Sequence, residues 1–231
     1  MERLQLAGLN ARVVGPADAK ITAVLLHGFG ASGDDLVPLS QYLDAPARYV
    51  FPEAPIALGG PYGGGRAWFR LDLDKMEREL RSGTQRDRRA EVPDGLHEVR
   101  AQVAQFMTEL QAKLAIPNPA LVLGGFSQGA MIALDAALHR DVAPAGLVLM
   151  SGTLLAEAEW QPLFAKLAGV PIELSHGKRD PLLPFAVSEL LRDRLTAAGA
   201  VVDWQPFDGG HEIPPPVLDA VAELLTKLAA R

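Results

Sequence analysis

The sequence predicts an α/β architecture, a mostly parallel central sheet with helices on both faces. Short apolar runs alternate along the chain with longer segments of helical period. Most of those runs are continuous rather than alternating, as expected of strands buried on both faces. A Gly-x-Ser-x-Gly segment stands where one run gives way to a helix-compatible stretch, the strand, turn and helix context in which that pattern carries meaning.

The expected strands are residues 21–26, 48–51, 120–125, 146–150, 171–175 and 201–207. Between them, Leu96, Val99, Val103, Phe106, Leu110 and Leu114 recur at steps of three and four, giving one apolar stripe on a helix that Asp94 is placed to cap. A last helix is entered through Pro214, Pro215 and Pro216, with Val217, Val221, Leu224 and Leu228 on its inner face. Core packing accounts for both stripes. Residues 57–91 break the pattern: a glycine-rich run from Gly59 to Gly65 is followed by Trp68-Phe69 and then by a basic segment from Arg81 to Arg89. A connection this long within a compact domain is usually functional or disordered, while its basic end taken alone reads as a solvated loop.

With 231 residues, 48% hydrophobic and 22% charged, the chain is long enough to bury a large core without staples. The absence of cysteine removes disulfides, thiolate metal sites and a cysteine nucleophile. A net charge of −6 argues against a nucleic-acid partner, since phosphate-backbone affinity comes from clustered Lys and Arg. Glu2, Arg3, Asn10 and Arg12 interrupt the first fourteen positions, so no signal peptide or membrane span is expected there and the reading is cytoplasmic. No repeat or composition break divides the chain, and residues 1–231 are expected to form one domain.

The chemistry centres on Gly125-Phe126-Ser127-Gln128-Gly129. A nucleophile held at the tip of a sharp turn needs small residues two before and two after it, so that strand and helix can pass closely. A serine hydroxyl also needs a base within hydrogen-bond reach and a third group that sets the base's tautomer. Around an elbow of this kind the chain order is Ser, then acid, then His, each on a loop after a strand. Asp180 in His176-Gly177-Lys178-Arg179-Asp180-Pro181 and His211 in Asp208-Gly209-Gly210-His211-Glu212 meet that requirement. His176 is the rival base, but it precedes the acid; Asp208 is the rival acid, but it stands three positions from His211 on one loop. His97 lies within a helix and His139 at a helix end, both structural readings. Acyl transfer further requires oxyanion donors, and the backbone N–H groups of Gln128 and of Phe29, in His27-Gly28-Phe29-Gly30, are the candidates. His27 reads as a structural histidine because it lies upstream of the serine.

Four segments, Leu26–Gly30, Gly125–Gly129, His176–Pro184 and Gly210–Pro214, together resemble the motifs of the phospholipase/carboxylesterase family of α/β-hydrolases, which includes acyl-protein thioesterases. The resemblance implies an α/β-hydrolase fold, with Ser127, Asp180 and His211 in the catalytic roles and Phe29 and Gln128 in the oxyanion hole. It implies no cofactor and no metal. Arg66-Ala67-Trp68-Phe69 is similar to the family's aromatic segment beside the acyl site, which sets the 57–91 insert near the active site and makes Phe29 and Trp68 the expected substrate-binding residues. The substrate class is a carboxylic ester or acyl thioester, and the reading allows a homodimer. A lipase or peptidase on the same scaffold, or an inactive binding module for a small apolar ligand, are the competing expectations.

Overall fold

The computed structural model describes residues 1–59, 63–83 and 87–231. Gly60, Pro61 and Tyr62 of the glycine-rich run and Thr84, Gln85 and Arg86 of the basic segment lie outside the described residues.

Eight strands form one sheet: β1 (Glu2–Leu6), β2 (Leu9–Val14), β3 (Ile21–Leu26), β4 (Ala47–Pro52), β7 (Leu121–Phe126), β8 (Gly146–Met150), β9 (Pro171–Gly177) and β10 (Val201–Phe207). Between β4 and β7, β5 (Ile56–Ala57) and β6 (Arg66–Ala67) pair separately as a short antiparallel ribbon. The order in the main sheet is β1-β2-β4-β3-β7-β8-β9-β10. Pairing is parallel from β4 through β10, while β1 and β2 join antiparallel at one edge.

All six strands expected from the apolar runs are present, β4 and β9 longer by two residues and β7 shifted by one to Leu121–Phe126. The edge hairpin β1–β2 was not among them, because a half-exposed strand with charged residues on one side lacks a continuous apolar run. Its two-residue turn places both Ala7 and Gly8 at positive φ, the twist that suits a tight hairpin.

Among the described residues, six α-helices complete the framework: α1 (Leu73–Ser82), α2 (Leu96–Leu114), α3 (Gln128–His139), α4 (Glu157–Trp160), α5 (Phe185–Ala197) and α6 (Pro215–Ala229). Alternate strand residues serve different faces. Leu123, Leu149 and Leu174 join the core beneath α2, α3 and α5, whereas Val122, Val148 and Met150 join the core beneath α6. This is the α/β-hydrolase fold.

Two details of the helices differ from expectation. Asp94 does not cap α2; Gly95 takes the N-cap position at φ 90°, with no side-chain cap, and the Asp94 carbonyl instead accepts from Arg70 N–H at 3.4 Å. On α6 the third inward position is Leu225, with Leu224 only half-buried, because a step of four from Val221 follows the buried stripe here. Among the described residues, no helix is long and apolar enough to cross a membrane.

Candidate active site

The turn between β7 and α3 explains its own sequence. Ser127 sits at φ 54°, ψ −119°, a conformation that L residues rarely adopt and that costs on the order of 1–3 kcal/mol. Its N–H donates to Met150 O at 2.8 Å. A Cβ on Gly125 would collide with Leu26 O and approach the carbonyl carbon of Gly129 to 2.7 Å; one on Gly129 would run into Leu26 O and His27 O. Both positions must therefore be glycine for α3 to leave the sheet beside β3.

Three side chains converge at this turn from the carboxyl ends of three strands. Ser127 Oγ lies 2.8 Å from His211 Nε2, and His211 Nδ1 lies 2.6 Å from Asp180 Oδ2. The other Asp180 oxygen accepts from the N–H groups of Leu182 at 2.8 Å and Leu183 at 3.0 Å. Burial would push the Asp180 carboxyl up, but His211 and these two N–H groups outweigh it and hold the carboxyl below its ordinary value. An ionised Asp180 only accepts, so Nδ1 carries the imidazole proton and Nε2 is left to accept from the serine. The ring of Phe126 packs 4.8 Å from the His211 ring. Gly177 makes this approach possible: a Cβ there would strike Gly210 O and come within 2.7 Å of Gly209 O.

The rival groups are placed elsewhere. Asp208 is exposed and pairs with Lys178 Nζ at 3.1 Å. His97 is exposed beside Glu159, and His139 lies 2.8 Å from Asp135 O one turn earlier on α3. His27 Nδ1 is 2.8 Å from Gly28 O and its Nε2 accepts from Ala54 N–H at 3.1 Å, while burial holds its pKa below the ordinary histidine value. His176 is fully buried behind Asp180.

The loop after β3 is pinned on two sides. Gly30 N–H donates to Arg66 O and Arg66 N–H to Ala31 O, each at 2.9 Å. Trp68 Nε1 donates to His27 O at 2.8 Å. Gln128, buried at the start of α3, accepts from Trp68 N–H at 2.7 Å and donates to Phe69 O at 2.9 Å. Its side chain thus stands in for a strand edge and ties the aromatic segment to the elbow. Reading Gln128 from the sequence gave only its backbone; the signal for its side chain was an amide at a helix position too close to the sheet to face water.

A cavity of about 470 Å³ opens onto Ser127 and His211. Phe29, Phe69, Leu71, Met131, Leu155 and Leu183 contribute apolar wall, and Arg70, Lys75, Glu79, Arg88 and Glu91 supply charged wall from α1 and its flanks. Phe29 lines the cavity; Trp68 is fully buried and does not, whereas its neighbour Phe69, itself buried, does. Both rings are buried in the core beneath α2, α3 and α5, and Phe69 is the one whose edge reaches the cavity wall. Among the described residues, no group of three or more His, Asp or Glu is placed to hold a metal ion.

Residues 9–229 match the model of the phospholipase/carboxylesterase family. The chain is 30% identical over 182 residues to acyl-protein thioesterase 1 of Candida albicans, covering 73% of this chain and 74% of the relative. It is 29% identical over 231 residues to acyl-protein thioesterase 1 of Neurospora crassa, covering 92% and 89%. Among solved structures, esterase PE8 superposes with a TM-score of 0.80 at 28% identity, covering 95% of this chain and 99% of that one. The Bacillus cereus carboxylesterase shares the fold with a TM-score of 0.75 at 23% identity, covering 95% and 94%. The chain belongs to the phospholipase/carboxylesterase family.

Proposed function

We propose that the protein hydrolyses carboxylic esters and acyl thioesters through an acyl-serine intermediate on Ser127. The observation that carries this reading is the continuous hydrogen-bonded line from Ser127 through His211 to Asp180, with Ser127 and His211 in the wall of a cavity that has both apolar and charged lining. Ser127 Oγ attacks the substrate carbonyl carbon while its proton passes to His211 Nε2. The oxyanion is received by the backbone N–H groups of Gln128, where the α3 dipole favours negative charge, and of Phe29. Collapse breaks the bond to the alcohol or thiol, which takes the proton from His211. A water then gives a proton to His211 and attacks the acyl-serine, releasing the carboxylic acid and restoring Ser127. Asp180 stays ionised throughout and stabilises the transient imidazolium.

The charged stretch of 57–91 forms the outer part of this active site in our reading, with residues 1–231 acting as one cytoplasmic domain without a nucleic-acid partner and with a homodimer allowed. The names of the relatives support both ester and thioester substrates. Purified protein is assayed against p-nitrophenyl esters, acyl thioesters and peptide amides; the reading expects turnover of the first two and none of the third. A protein that binds these esters, turns none over and resists a fluorophosphonate contradicts it.

A further inference from the structure

Asp180 has a second imidazole neighbour that the mechanism above leaves unused. His176, one residue before the end of β9, is fully buried, and its Nε2 lies 3.4 Å from Asp180 Oδ2, the oxygen that His211 Nδ1 reaches at 2.6 Å. The same Nε2 lies 3.1 Å from Leu183 O, and Leu183 N–H is one of the two donors that grip Asp180 Oδ1. On the far side of the ring, Nδ1 is 2.8 Å from Ser188 Oγ, which in turn is 2.8 Å from Gly152 O. Phe185 packs against the ring at 6.2 Å. A line of polar contacts thus runs from Gly152, two residues beyond the end of β8, through Ser188 on α5 to the acid.

Proton accounting along this line is restrictive. Both groups facing Nε2 are acceptors, a carbonyl and a carboxylate, so Nε2 must carry hydrogen. A neutral ring then presents a lone pair at Nδ1, and the Ser188 hydroxyl, with one hydrogen for both Nδ1 and Gly152 O, gives it to the ring in that state rather than to the carbonyl. A second proton, on Nδ1, would turn the hydroxyl toward Gly152 O and leave an imidazolium beside Asp180. That cation would compete with His211 for the carboxylate. Asp180 and His211 are the titratable groups that face it, the first favouring the charge and the second opposing it. Burial is the larger influence and holds the ring below the ordinary histidine pKa, so it is neutral at neutral pH.

We propose that His176 is a positioning residue for the hydrolysis: as a neutral ring bearing hydrogen on Nε2 it holds Leu183 and Asp180 in place, so that the carboxylate stays aimed at His211. This rests on the reading of Ser127, His211 and Asp180 given above. His176 touches no substrate and acts only through the acid. Orienting partners one step removed from the reacting groups are typically worth roughly 10- to 100-fold.

The test compares wild type, His176→Gln and His176→Leu, each checked for melting temperature and for labelling by a fluorophosphonate. Gln keeps an N–H near the Nε2 position but cannot take a further proton; Leu keeps neither. The proposal expects His176→Leu to lose roughly 10- to 100-fold in kcat with KM little changed, and Gln to recover most of that loss. It also expects the acid side of the wild-type log(kcat/KM) profile to steepen from a slope of one toward two as the second imidazole titrates, whereas His176→Gln keeps a slope of one. A folded Leu variant with wild-type kcat, or identical acid slopes in wild type and Gln, overturns it. If the Leu variant does not fold, the Gln kinetics and the two slopes still decide. Failure of wild type to label on Ser127 is a different result, which removes the underlying catalytic reading.

Discussion

The backbone N–H of Trp68 donates to Gln128 Oε1 at 2.7 Å, joining the aromatic segment to the residue that follows the nucleophile across 60 positions of sequence. Through this bond and that from Trp68 Nε1 to His27 O, the segment supports the loop after β3 while Phe69 reaches the cavity wall. Trp68→Ala is therefore expected to lose stability, by about 3–5 kcal/mol for a large buried ring, without altering the order of preference among acetyl, butyryl and octanoyl esters. Phe29→Ala, at a half-buried cavity wall, should do the reverse, keeping the melting temperature within a few degrees and shifting the chain-length preference by roughly 1–3 kcal/mol per lost contact. Melting curves with kcat/KM across the ester series separate the two roles; an altered profile in Trp68→Ala alone would place the acyl chain against the wrong wall.

Replacing the acid tests its assignment independently of the serine. Asp180→Asn should reduce kcat by roughly 10²- to 10⁴-fold, because an amide cannot hold His211 in the required tautomer or stabilise its charge. Asp208→Asn removes an exposed partner of Lys178 and should stay within about twofold of wild type, as expected of a surface ion pair. A larger loss from Asp208→Asn contradicts the assignment.

Glu173 gives a pH signature in stability. It lies within β9, is buried, and neither carboxylate oxygen has a hydrogen-bond partner among the described residues. Burial first, then Asp203 and Glu223, push its pKa up to about 8. An unfolded glutamate titrates near ~4.3. Between those values the folded chain keeps a proton that the unfolded chain has released, so stability declines as pH rises through the window and is greatest below it. Glu173→Gln removes this dependence. Its melting temperature relative to wild type should rise from pH 5 to pH 9, by an amount equivalent to a few kcal/mol at most. A difference that is constant with pH would mean that Glu173 titrates like an ordinary carboxylate.

A buried ion pair couples α2 to α3. Arg100 donates to both oxygens of Asp135, each at 2.7 Å, and Trp160 Nε1 donates to Oδ1 at 2.8 Å. Arg100→Met strands a fully buried carboxylate and should cost about 3–5 kcal/mol, with the ester chain-length profile unchanged. Denaturant unfolding measures it; a loss below about 1 kcal/mol would show that water reaches Asp135 and screens it.

The parallel strands and the elbow were legible because each depends on a local pattern: a run apolar enough for burial on both faces, or two glycines that only a close crossing demands. Asp180 and His211 were legible through chain order and the turns that follow their strands. What escaped was set by tertiary neighbours. Trp68 and Phe69 are adjacent, both apolar and both buried, and only the tertiary packing leaves Phe69 rather than Trp68 on the cavity wall. The hairpin β1–β2 has one solvated face, and the short ribbon β5–β6 is two residues per strand, too short for periodicity to register. His176 could be weighed as a base from its place at a strand end, but its contact with Asp180 comes from the tightness of the turn between them.

The most direct test of the central claim is to catch the acyl group. Wild-type protein is mixed with p-nitrophenyl butyrate, quenched in acid during the first turnover, digested and read by mass spectrometry. The account predicts a burst of p-nitrophenol together with one butyryl group on the peptide containing Ser127, and neither in Ser127→Ala. Butyrylation at another residue, or undiminished turnover in Ser127→Ala, would contradict it.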